Sequence, residues 1–506
     1  MNKENKRLFQ TIFILGISTV ISYLINFLLT PYISNNVGIE AYGFVSIAKT
    51  AVSYAQIITV ALTTFIVRYI TLNYHKNKLE EANSYYSSSV MACFELAGAI
   101  FLFALVCIFK LENLLKIPEN LIPSVKLLFV FVFINFVLTT MITPLNAGCY
   151  IKNRLDLHGI VKIISYIAEA LVLIIVFKYC TPNVWVVGLG SFVAAIVLVV
   201  GNYILKQKLT PELKFSKAVV SYRRVKEMMS NGIWQSVNSL GNTLNGGLDL
   251  LISNLMLTAV QTGEVAVVKT IGTMFSMLYQ VVGQPFQPRL LKAYSTRKKE
   301  DFFKELTKAM RICGYFSNVA FAGFVALGWT YFKLWIPNEN TNVLYKLAVL
   351  TVICSITEGV AQPLYYINTL TLKKKIPCLV TIGGGLLNVV SMYFLLKYTN
   401  LGVYSIVITT AVIMTLINFI FTPIYAACSI KLHPVKFYKV LLRHLCSVIL
   451  MVIMFKGITY IYMPSGWLGL IFEALLMAVL GAVIHGAIMS DKNERKNLVE
   501  KLKERI

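Results

Sequence analysis

The chain has 506 residues, of which 57% are hydrophobic and 14% are charged, and its formal net charge is +24. A soluble domain carries about 25% charged residues, so this composition excludes a soluble protein and requires lipid around the chain. The basic residues fall between long apolar runs, which indicates membrane topology and argues against a nucleic-acid partner. The nine Cys residues are scattered without metal-ligand spacing, so we expect no metal site.

Fourteen apolar runs are long enough to cross a bilayer as helices, since one span needs roughly 20 residues. The first run covers about residues 8–34, which is too long for the core of a signal peptide. The other runs are centred near residues 54, 98, 133, 168, 194, 243, 276, 322, 357, 387, 413, 451 and 478. The sequence therefore predicts an all-α integral membrane protein with about 14 transmembrane helices.

Lys and Arg residues concentrate in alternate connections between the spans, and this bias sets the orientation. The two termini and six loops hold 36 of the 47 basic residues, whereas the seven alternate loops hold 7. Both termini are therefore predicted to be cytoplasmic. The other four basic residues lie inside apolar runs and are Lys49, Lys126, Lys162 and Lys269. Because every loop is short, we expect no soluble catalytic domain, no enzymatic activity and no cofactor.

An internal repeat is visible in the sequence. The stretches GFVSIAKT (43–50) and GEVAVVKT (263–270) share the pattern G-x5-K-T, which places Lys49 and Lys269 at equivalent positions. The span after each lysine ends in an arginine, Arg68 in the first copy and Arg289 in the second. The prolines of ITPLN and AQPLY recur at nearly the same offset.

We interpret the repeat as two pseudo-symmetric six-helix lobes around a central cavity. The N-lobe is predicted over residues 1–205 (spans 1–6) and the C-lobe over 229–430 (spans 7–12), joined by a cytoplasmic linker at 206–228. Residues 431–506 then supply two extra spans and a basic cytoplasmic tail. Parallel repeats of this kind place a substrate site between the halves.

Polar side chains recur at helical spacing along several spans. In span seven the steps are 3 or 4 residues, through Asn231, Gln235, Asn238, Asn242, Asn245 and Asp249. Span eight carries Lys269, Thr273, Ser276, Gln280, Gln284 and Gln287, and span two carries Lys49, Ser53, Gln56 and Thr63. Such stripes cannot face lipid. They either form hydrogen bonds between helices or line a water-filled cavity, and for span seven we favour the cavity.

Acidic residues also lie inside spans, at Glu95, Glu169, Asp249, Glu358 and Glu473. One interpretation pairs them with the intramembrane lysines. The other makes them a site for H+ or Na+ that drives transport, and Asp249, Glu95, Glu169 and Glu358 are the residues we assign to it. The sequence leaves both interpretations open.

These features together resemble the polysaccharide flippases of the multidrug/oligosaccharidyl-lipid/polysaccharide (MOP) exporter superfamily, and specifically the Wzx type. The resemblance covers about residues 8–430 and rests on LLTPYISNNVGIEAYGFVSIAKT, the twin halves and the Gly- and Asn-rich seventh span. It implies a multi-pass protein of the bacterial cytoplasmic membrane. Its expected activity is flipping undecaprenyl-diphosphate-linked oligosaccharides by alternating access, for O-antigen of lipopolysaccharide, capsule or another surface polysaccharide.

The resemblance also implies roles for particular residues. Cationic groups of the cavity would bind the diphosphate, a role that we carry over to Lys49 and Lys269, with Arg68 and Arg289 at the inner mouth. The amides expected to receive sugar hydroxyls are Gln56, Asn231, Gln235, Asn238, Asn242, Asn245 and Gln280. Expected partners are the lipid-linked substrate, the bilayer, a polysaccharide polymerase and glycosyltransferases.

Three alternatives remain beside this function. A cation-coupled drug exporter of the MATE kind needs a net acidic cavity, whereas the repeated charges here are positive. A MurJ-like lipid II flippase has fourteen spans but carries arginines in its first span, where this chain has only Arg7. A membrane scaffold or a sugar-transferring enzyme is the third, and the short loops argue against it.

Overall fold

The computed structural model describes residues 3–295, 299–371, 373 and 375–489. Throughout this part the secondary structure is helical and no β-strand is present. A helix bonds all of its own backbone groups, which is what hydrocarbon requires of a spanning segment. The all-α fold predicted from the sequence is therefore confirmed. The basic tail predicted from residue 490 lies outside the described residues.

Backbone contacts divide the chain into unit 1, Met1–Gly263, and unit 2, Glu264–Ile506. The helices of unit 1 are α1 (Lys3–Asn36), α2 (Ile39–His75), α3 (Leu79–Phe109), α4 (Leu111–Leu114), α5 (Ile122–Leu145), α6 (Ala147–Ile151), α7 (Leu155–Tyr179), α8 (Trp185–Leu209), α9 (Tyr222–Gly246) and α10 (Asp249–Met256). Unit 1 thus extends past the linker predicted at 206–228, because α9 packs along α2. The two homologous lobes stay a prediction from the repeat.

The helix α11 (Ala259–Gly283) leads into unit 2. The remaining helices are α12 (Phe286–Ser295), α13 (Lys299–Trp335), α14 (Thr341–Val352), α15 (Ser355–Leu370), α16 (Lys375–Tyr398), α17 (Tyr404–Leu416), α18 (Thr422–Ser429), α19 (Val435–Ile461) and α20 (Trp467–Met489). A π-helical turn, Ile417–Phe421, joins α17 to α18. The last two helices pack against α13, where Met451, Phe455 and Met477 are buried.

Thirteen helical segments among the described residues are long and apolar enough to span a membrane. They match thirteen of the fourteen predicted spans, and the exception is the seventh. That region forms α9 and α10, two helices separated at Gly247 and Leu248. The polar stripe lowers the hydropathy of α9, and the break places Asp249 at the start of a new helix. The continuous stripe predicted from Asn231 to Asp249 is therefore interrupted before its last member.

Two of the connections predicted to be cytoplasmic use left-handed helix caps. Asn77 ends α2 and Asn153 ends α6, with φ of 57° and 51°. In both cases the next residue donates its backbone N–H back into the helix, from Lys78 to Asn73 O and from Arg154 to Cys149 O. This motif satisfies carbonyls that the helix end would otherwise leave unpaired. Each chain reversal is therefore a short loop whose backbone is hydrogen-bonded to the preceding helix.

Lys126, one of the four basic residues inside apolar runs, forms an ion pair near the start of α5. Its ammonium lies 2.6 Å from the Glu112 carboxylate, on the short helix α4. The hydrogen bond from Lys126 holds the pKa of Glu112 below its ordinary value. Lys126 is thus a loop-closing residue and not a free charge inside the helix bundle.

Candidate functional site

Helix α2 presents a row of exposed polar side chains along one side. The row contains Lys49, Ser53, Gln56, Thr64 and Arg68, at spacings that keep them on neighbouring turns. The opposite side of α2 is buried, including Leu62, Ile66 and Ile70 in the apolar core of unit 1. The helix therefore separates a packed core from a polar surface. Arg68 ends the row with its guanidinium 5.7 Å from the Phe65 ring centroid.

Lys49 is held by a neutral group on the first helix. Its ammonium donates a hydrogen bond of 2.9 Å to Asn26 Oδ1 on α1. The Glu169 carboxyl on α7 lies within electrostatic reach of the same ammonium, and α7 packs against α1. An amide neutralises no charge, so Lys49 keeps the capacity to bind an anion. The structure places these three polar groups, from α1, α2 and α7, together.

The α9 stripe lies on a helix that packs directly on α2. Gly232 sits so close that an added Cβ would overlap the carbonyl oxygen of Ala61. Nearby, the Ser236 hydroxyl donates a hydrogen bond of 2.6 Å to Ile57 O. With this face of α9 buried, the stripe is accessible at Asn231, Gln235 and Asn242, half-buried at Asn238 and buried at Asn245. The exposed polar rows of α2 and α9 are thus carried by adjacent helices.

An aromatic and acidic cluster ties α2, α3 and α9 together near Arg68. Asn231 donates its Nδ2–H to Tyr69 OH at 2.8 Å. The rings of Tyr69 and Tyr85 stack with centroids 5.0 Å apart, and Tyr85 OH donates to Glu227 Oε2 at 2.8 Å. The Arg224 guanidinium lies over Tyr85, 4.7 Å from its centroid. Asn231 therefore has a structural bond that the sequence did not predict.

Beyond the break in the seventh span, the chain encloses an apolar cavity in unit 1. It measures ≈ 360 Å³ and lies between α2, α4, α5 and α10, with Ile47, Leu114, Phe129 and Leu251 among its walls. Tyr54, also on this wall, donates its hydroxyl to Gly247 O at 2.7 Å, and the buried Asp249 is close enough to act on it electrostatically. Asp249 is thus beside a tyrosine at the helix break.

The second set of predicted residues lies in unit 2. Lys269 is half-buried on α11, Gln280 is exposed on the same helix, and Arg289 is exposed on α12. Glu358, on α15, forms a hydrogen bond with Ser276 of α11. One polar position of the eighth span therefore bonds to an acidic residue inside unit 2.

The acidic residues inside the spans have different surroundings. Glu95 is exposed and accepts a hydrogen bond of 2.7 Å from Tyr222 OH. Glu473 is 3% exposed on α20, and neither of its carboxyl oxygens has a partner within the described residues. The sequence had suggested lysine partners for these acids, whereas Glu95 and Glu358 bond to hydroxyl groups. Among the described residues, no group of three or more His, Cys, Asp or Glu could hold a metal ion.

Sequence reasoning missed several contacts of this region. Asn26 is one polar residue of a span with no strong stripe, and nothing in the sequence pairs it with Lys49. Tyr69, Tyr85 and Glu227 lie near helix ends, where aromatic and charged residues are common. Tyr54 occurs one position after Ser53 and off the polar row. Only the packing of the helices identifies the contacts of these residues.

Comparisons with known proteins place this architecture in a family. Residues 8–292 match the model of the family described as "Polysaccharide biosynthesis protein". A relative from Bacillus subtilis (strain 168), "Uncharacterized membrane protein EpsK", is 26% identical over 484 residues, which is 96% of each chain.

Solved structures share the fold at low sequence identity. The structure titled "Lipid II flippase MurJ, inward closed conformation" has a TM-score of 0.67 at 13% identity, covering 94% of this chain and 98% of that one. An inward-facing multidrug resistance MATE family transporter of the MOP superfamily has a TM-score of 0.61 at 15% identity, covering 83% and 99%. Both are membrane transporters. The fold is therefore shared with a flippase and with a MATE transporter of the MOP superfamily, and the chain belongs to the polysaccharide biosynthesis protein family, as the resemblance predicted.

Proposed function

We propose that this protein flips undecaprenyl-diphosphate-linked oligosaccharide repeat units from the cytoplasmic to the outer leaflet of the bacterial cytoplasmic membrane, by alternating access. The observation that carries the proposal is Lys49, an exposed ammonium inside an apolar span that is bonded to an amide and not to a carboxylate. A charge at this depth is costly, so an intramembrane lysine is a functional-site hypothesis by default. The family described above supplies polysaccharide biosynthesis as the process.

In the proposed mechanism, the diphosphate of the substrate exchanges its hydrating water for contacts with the protein. A diphosphate must lose water to cross the bilayer, and the compact ammonium of a lysine replaces that water as a point charge. Lys49 and Lys269, one from each copy of the repeat, are the proposed phosphate ligands, with Arg68 and Arg289 receiving the substrate from the cytoplasm. The prenyl chain remains in lipid throughout.

The sugar is proposed to contact the amides of the exposed rows. Gln56 on α2 and Asn231, Gln235 and Asn242 on α9 have exposed side chains. Amides donate and accept, so they match hydroxyl groups without a fixed charge. Asn238, Asn245 and Gln280 belong to the same proposed set, although Asn245 is buried and would need to become accessible during transport.

Ion coupling is proposed to act through a carboxyl near the phosphate ligands. Glu169 is the best placed of Asp249, Glu95, Glu169 and Glu358, because its carboxyl is electrostatically coupled to Lys49. Binding of H+ or Na+ at Glu169 would change the net charge presented to the substrate. Glycosyltransferases would supply the lipid-linked unit, and a polymerase would use it after transfer.

The test replaces both repeat lysines in cells that depend on this protein for surface polysaccharide. We expect Lys49→Ala with Lys269→Ala to abolish polymer formation at normal protein levels, and lipid-linked repeat units to accumulate on the inner leaflet. The matched control is Lys126→Ala, which removes a lysine that is paired with Glu112 and should leave polymer levels unchanged. Wild-type polymer levels in the double variant would refute the proposed role of the two lysines.

A parallel assay separates the alternatives. Purified protein in vesicles receives lipid-linked oligosaccharide, lipid II or a cationic drug. We expect transfer of the first. Preference for lipid II would favour a MurJ-like function, and drug uptake without lipid transfer would favour a MATE-like exporter.

A further inference from the structure

Unit 1 also contains a polar cavity, which is lined by none of the residues assigned to substrate binding. It measures ≈ 300 Å³, opens to the surface and is lined by residues of α2, α5, α6, α7 and α8. Its polar walls come from Thr143, Asn146, Tyr150, His158 and Lys162. The cavity is therefore a distinct site, and Lys162 is the intramembrane lysine that the proposed function leaves without a role.

Lys162 supplies a positive charge without an acidic partner. Among the described residues, no carboxylate lies within ion-pair distance of its ammonium. The Tyr166 ring centroid lies 5.9 Å from this ammonium. An ammonium on a membrane helix that has no counter-ion in the protein calls for an anion from outside it.

His158 lies one helical turn before Lys162 and lines the same cavity. Its Nδ1 is 2.8 Å from Asn202 Oδ1, while Asn202 Nδ2 donates to Leu198 O at 2.7 Å. Because the Asn202 amide has its donor engaged there, its oxygen must accept the proton of His158 Nδ1–H. This arrangement leaves His158 Nε2 as the ring atom available to a ligand.

Asn146 gives independent evidence for a ligand in this cavity. The residue is 9% exposed between α5 and α6, and its Oδ1 has no hydrogen-bond partner within the described residues. A buried amide oxygen normally has a donor. Its position on the cavity wall indicates that the ligand carries a hydroxyl or another donor besides its negative charge.

The predicted orientation places this cavity near the cytoplasmic interface of the membrane. His158 and Lys162 lie on the first two turns of α7, so Lys162 is roughly 10 Å from the helix start at 1.5 Å per residue. The adjoining loop contains Lys152 and Arg154 and is predicted to be cytoplasmic. A phosphate entering from the inner leaflet interface would reach Lys162 without crossing the hydrocarbon core.

We propose that this cavity binds a phosphate ester that bears a hydroxyl group next to the phosphate, with Lys162 on the phosphate and with Asn146 Oδ1 and His158 Nε2 as acceptors for the hydroxyl. Such a group occurs on an anionic phospholipid, for example phosphatidylglycerol, and on a soluble ester such as glycerol 3-phosphate. Either ligand would fill the space between α5, α7 and α8. The site does not depend on the proposed transport function.

The experiment measures binding to the full-length protein in detergent by native mass spectrometry. The probes are phosphatidylglycerol, phosphatidylcholine and glycerol 3-phosphate, each added to wild type and to Lys162→Gln. We expect wild type to prefer phosphatidylglycerol over phosphatidylcholine, and Lys162→Gln to lose about tenfold or more in affinity, as for removal of one charged hydrogen bond. Lys162→Arg should restore most of the affinity.

The matched control is Lys178→Gln, which removes an exposed lysine from the other end of the same helix and should bind as wild type does. Asn146→Asp is a second variant in case Lys162→Gln does not fold, and the added negative charge should weaken binding. Lys162-dependent binding of glycerol 3-phosphate without phosphatidylglycerol would assign the site to a soluble ester. Equal binding by wild type and Lys162→Gln, or no binding of either probe by wild type, would overturn the proposal.

Discussion

Single residues determine how much of the positive charge on α2 is available to a substrate. Lys49 is bonded to Asn26 Oδ1 at 2.9 Å, with the Glu169 carboxyl farther off but still coupled to it. A directly bonded carboxylate would compete with a phosphate for the ammonium, whereas an amide orients the side chain without neutralising it. The identity of the residue at position 26 is therefore expected to be critical.

Asn26→Asp tests this point with a change of a single functional group. The new carboxylate would form an ion pair with Lys49 and reduce surface polysaccharide more than Asn26→Ala, which removes the bond and adds no charge. Polymer yield at matched protein levels is the measurement. If Asn26→Asp were as active as wild type, Lys49 would not bind an anion.

Glu473 differs from Lys49, because its carboxyl is buried and has no hydrogen-bond partner within the described residues. Replacing it with Leu removes a polar group that has no partner within the described residues, so we expect the protein to gain about 1–3 kcal/mol in stability. Thermal unfolding in detergent measures the change, and Glu473→Gln should fall between Leu and wild type. A lower melting temperature for Glu473→Leu would reveal a partner such as a bound cation.

At the scale of elements, the packing of α9 on α2 controls the polar surface. Close approach of the two backbones at Gly232 buries one side of α9 and leaves Gln235 and Asn242 exposed. A similarly close approach involves Gly43 and Gly263, the first residues of the two G-x5-K-T stretches, because a Cβ on Gly43 would lie 3.1 Å from Gly263 N. Small residues thus act at helix contacts, as is usual in membranes.

Gly232→Ala is expected to force α9 away from α2. The added methyl group would overlap the Ala61 carbonyl oxygen, and overpacking of this kind costs about 1–3 kcal/mol. Thermal unfolding in detergent should therefore show a clear loss of stability. Gly246→Ala is the control in the same helix, because a Cβ there meets no atom within 4 Å. Equal stability of the two variants would contradict the described packing.

At the scale of the whole molecule, the distribution of basic residues among the loops predicts how the spans are oriented in the membrane. The predicted orientation places the loop near 178–183 outside the cell and the loop near 427–443 in the cytoplasm. Cys180 and Cys428 lie in or beside these loops, and both are exposed. They offer a direct measurement of orientation with native side chains.

We expect a membrane-impermeant maleimide to label Cys180 in intact cells and Cys428 only after permeabilisation. Variants that retain one of these cysteines and replace the other eight give the cleanest result. Cys93 and Cys149 are buried and should remain unlabelled when retained alone. Labelling of Cys428 in intact cells would reverse the predicted orientation.

The sequence by itself determined the fold class and the polar rows, because lipid permits few solutions. Long apolar runs must be helices, and polar residues every three or four positions must share one helix face. Thirteen spans follow from hydropathy alone. The seventh apolar run was predicted as one continuous helix, whereas the structure breaks it at Gly247 and Leu248. The Gly246–Gly247 pair lies at this break, and such a dipeptide is a turn signal, although the polar stripe continues across it.

Only the tertiary structure decided which polar groups meet. Asn26 and Lys49 are 23 positions apart, and His158 and Asn202 are 44 apart, yet each pair is in hydrogen-bond contact. Helical periodicity assigns a residue to a face but not to the neighbouring helix that covers that face. The partners depend on how helices pack, which is determined by small residues such as Gly232 and by the sum of many weak contacts. The sequence identified Lys49 and Lys162 as unusual charges, and packing gave the first an amide partner and the second a cavity.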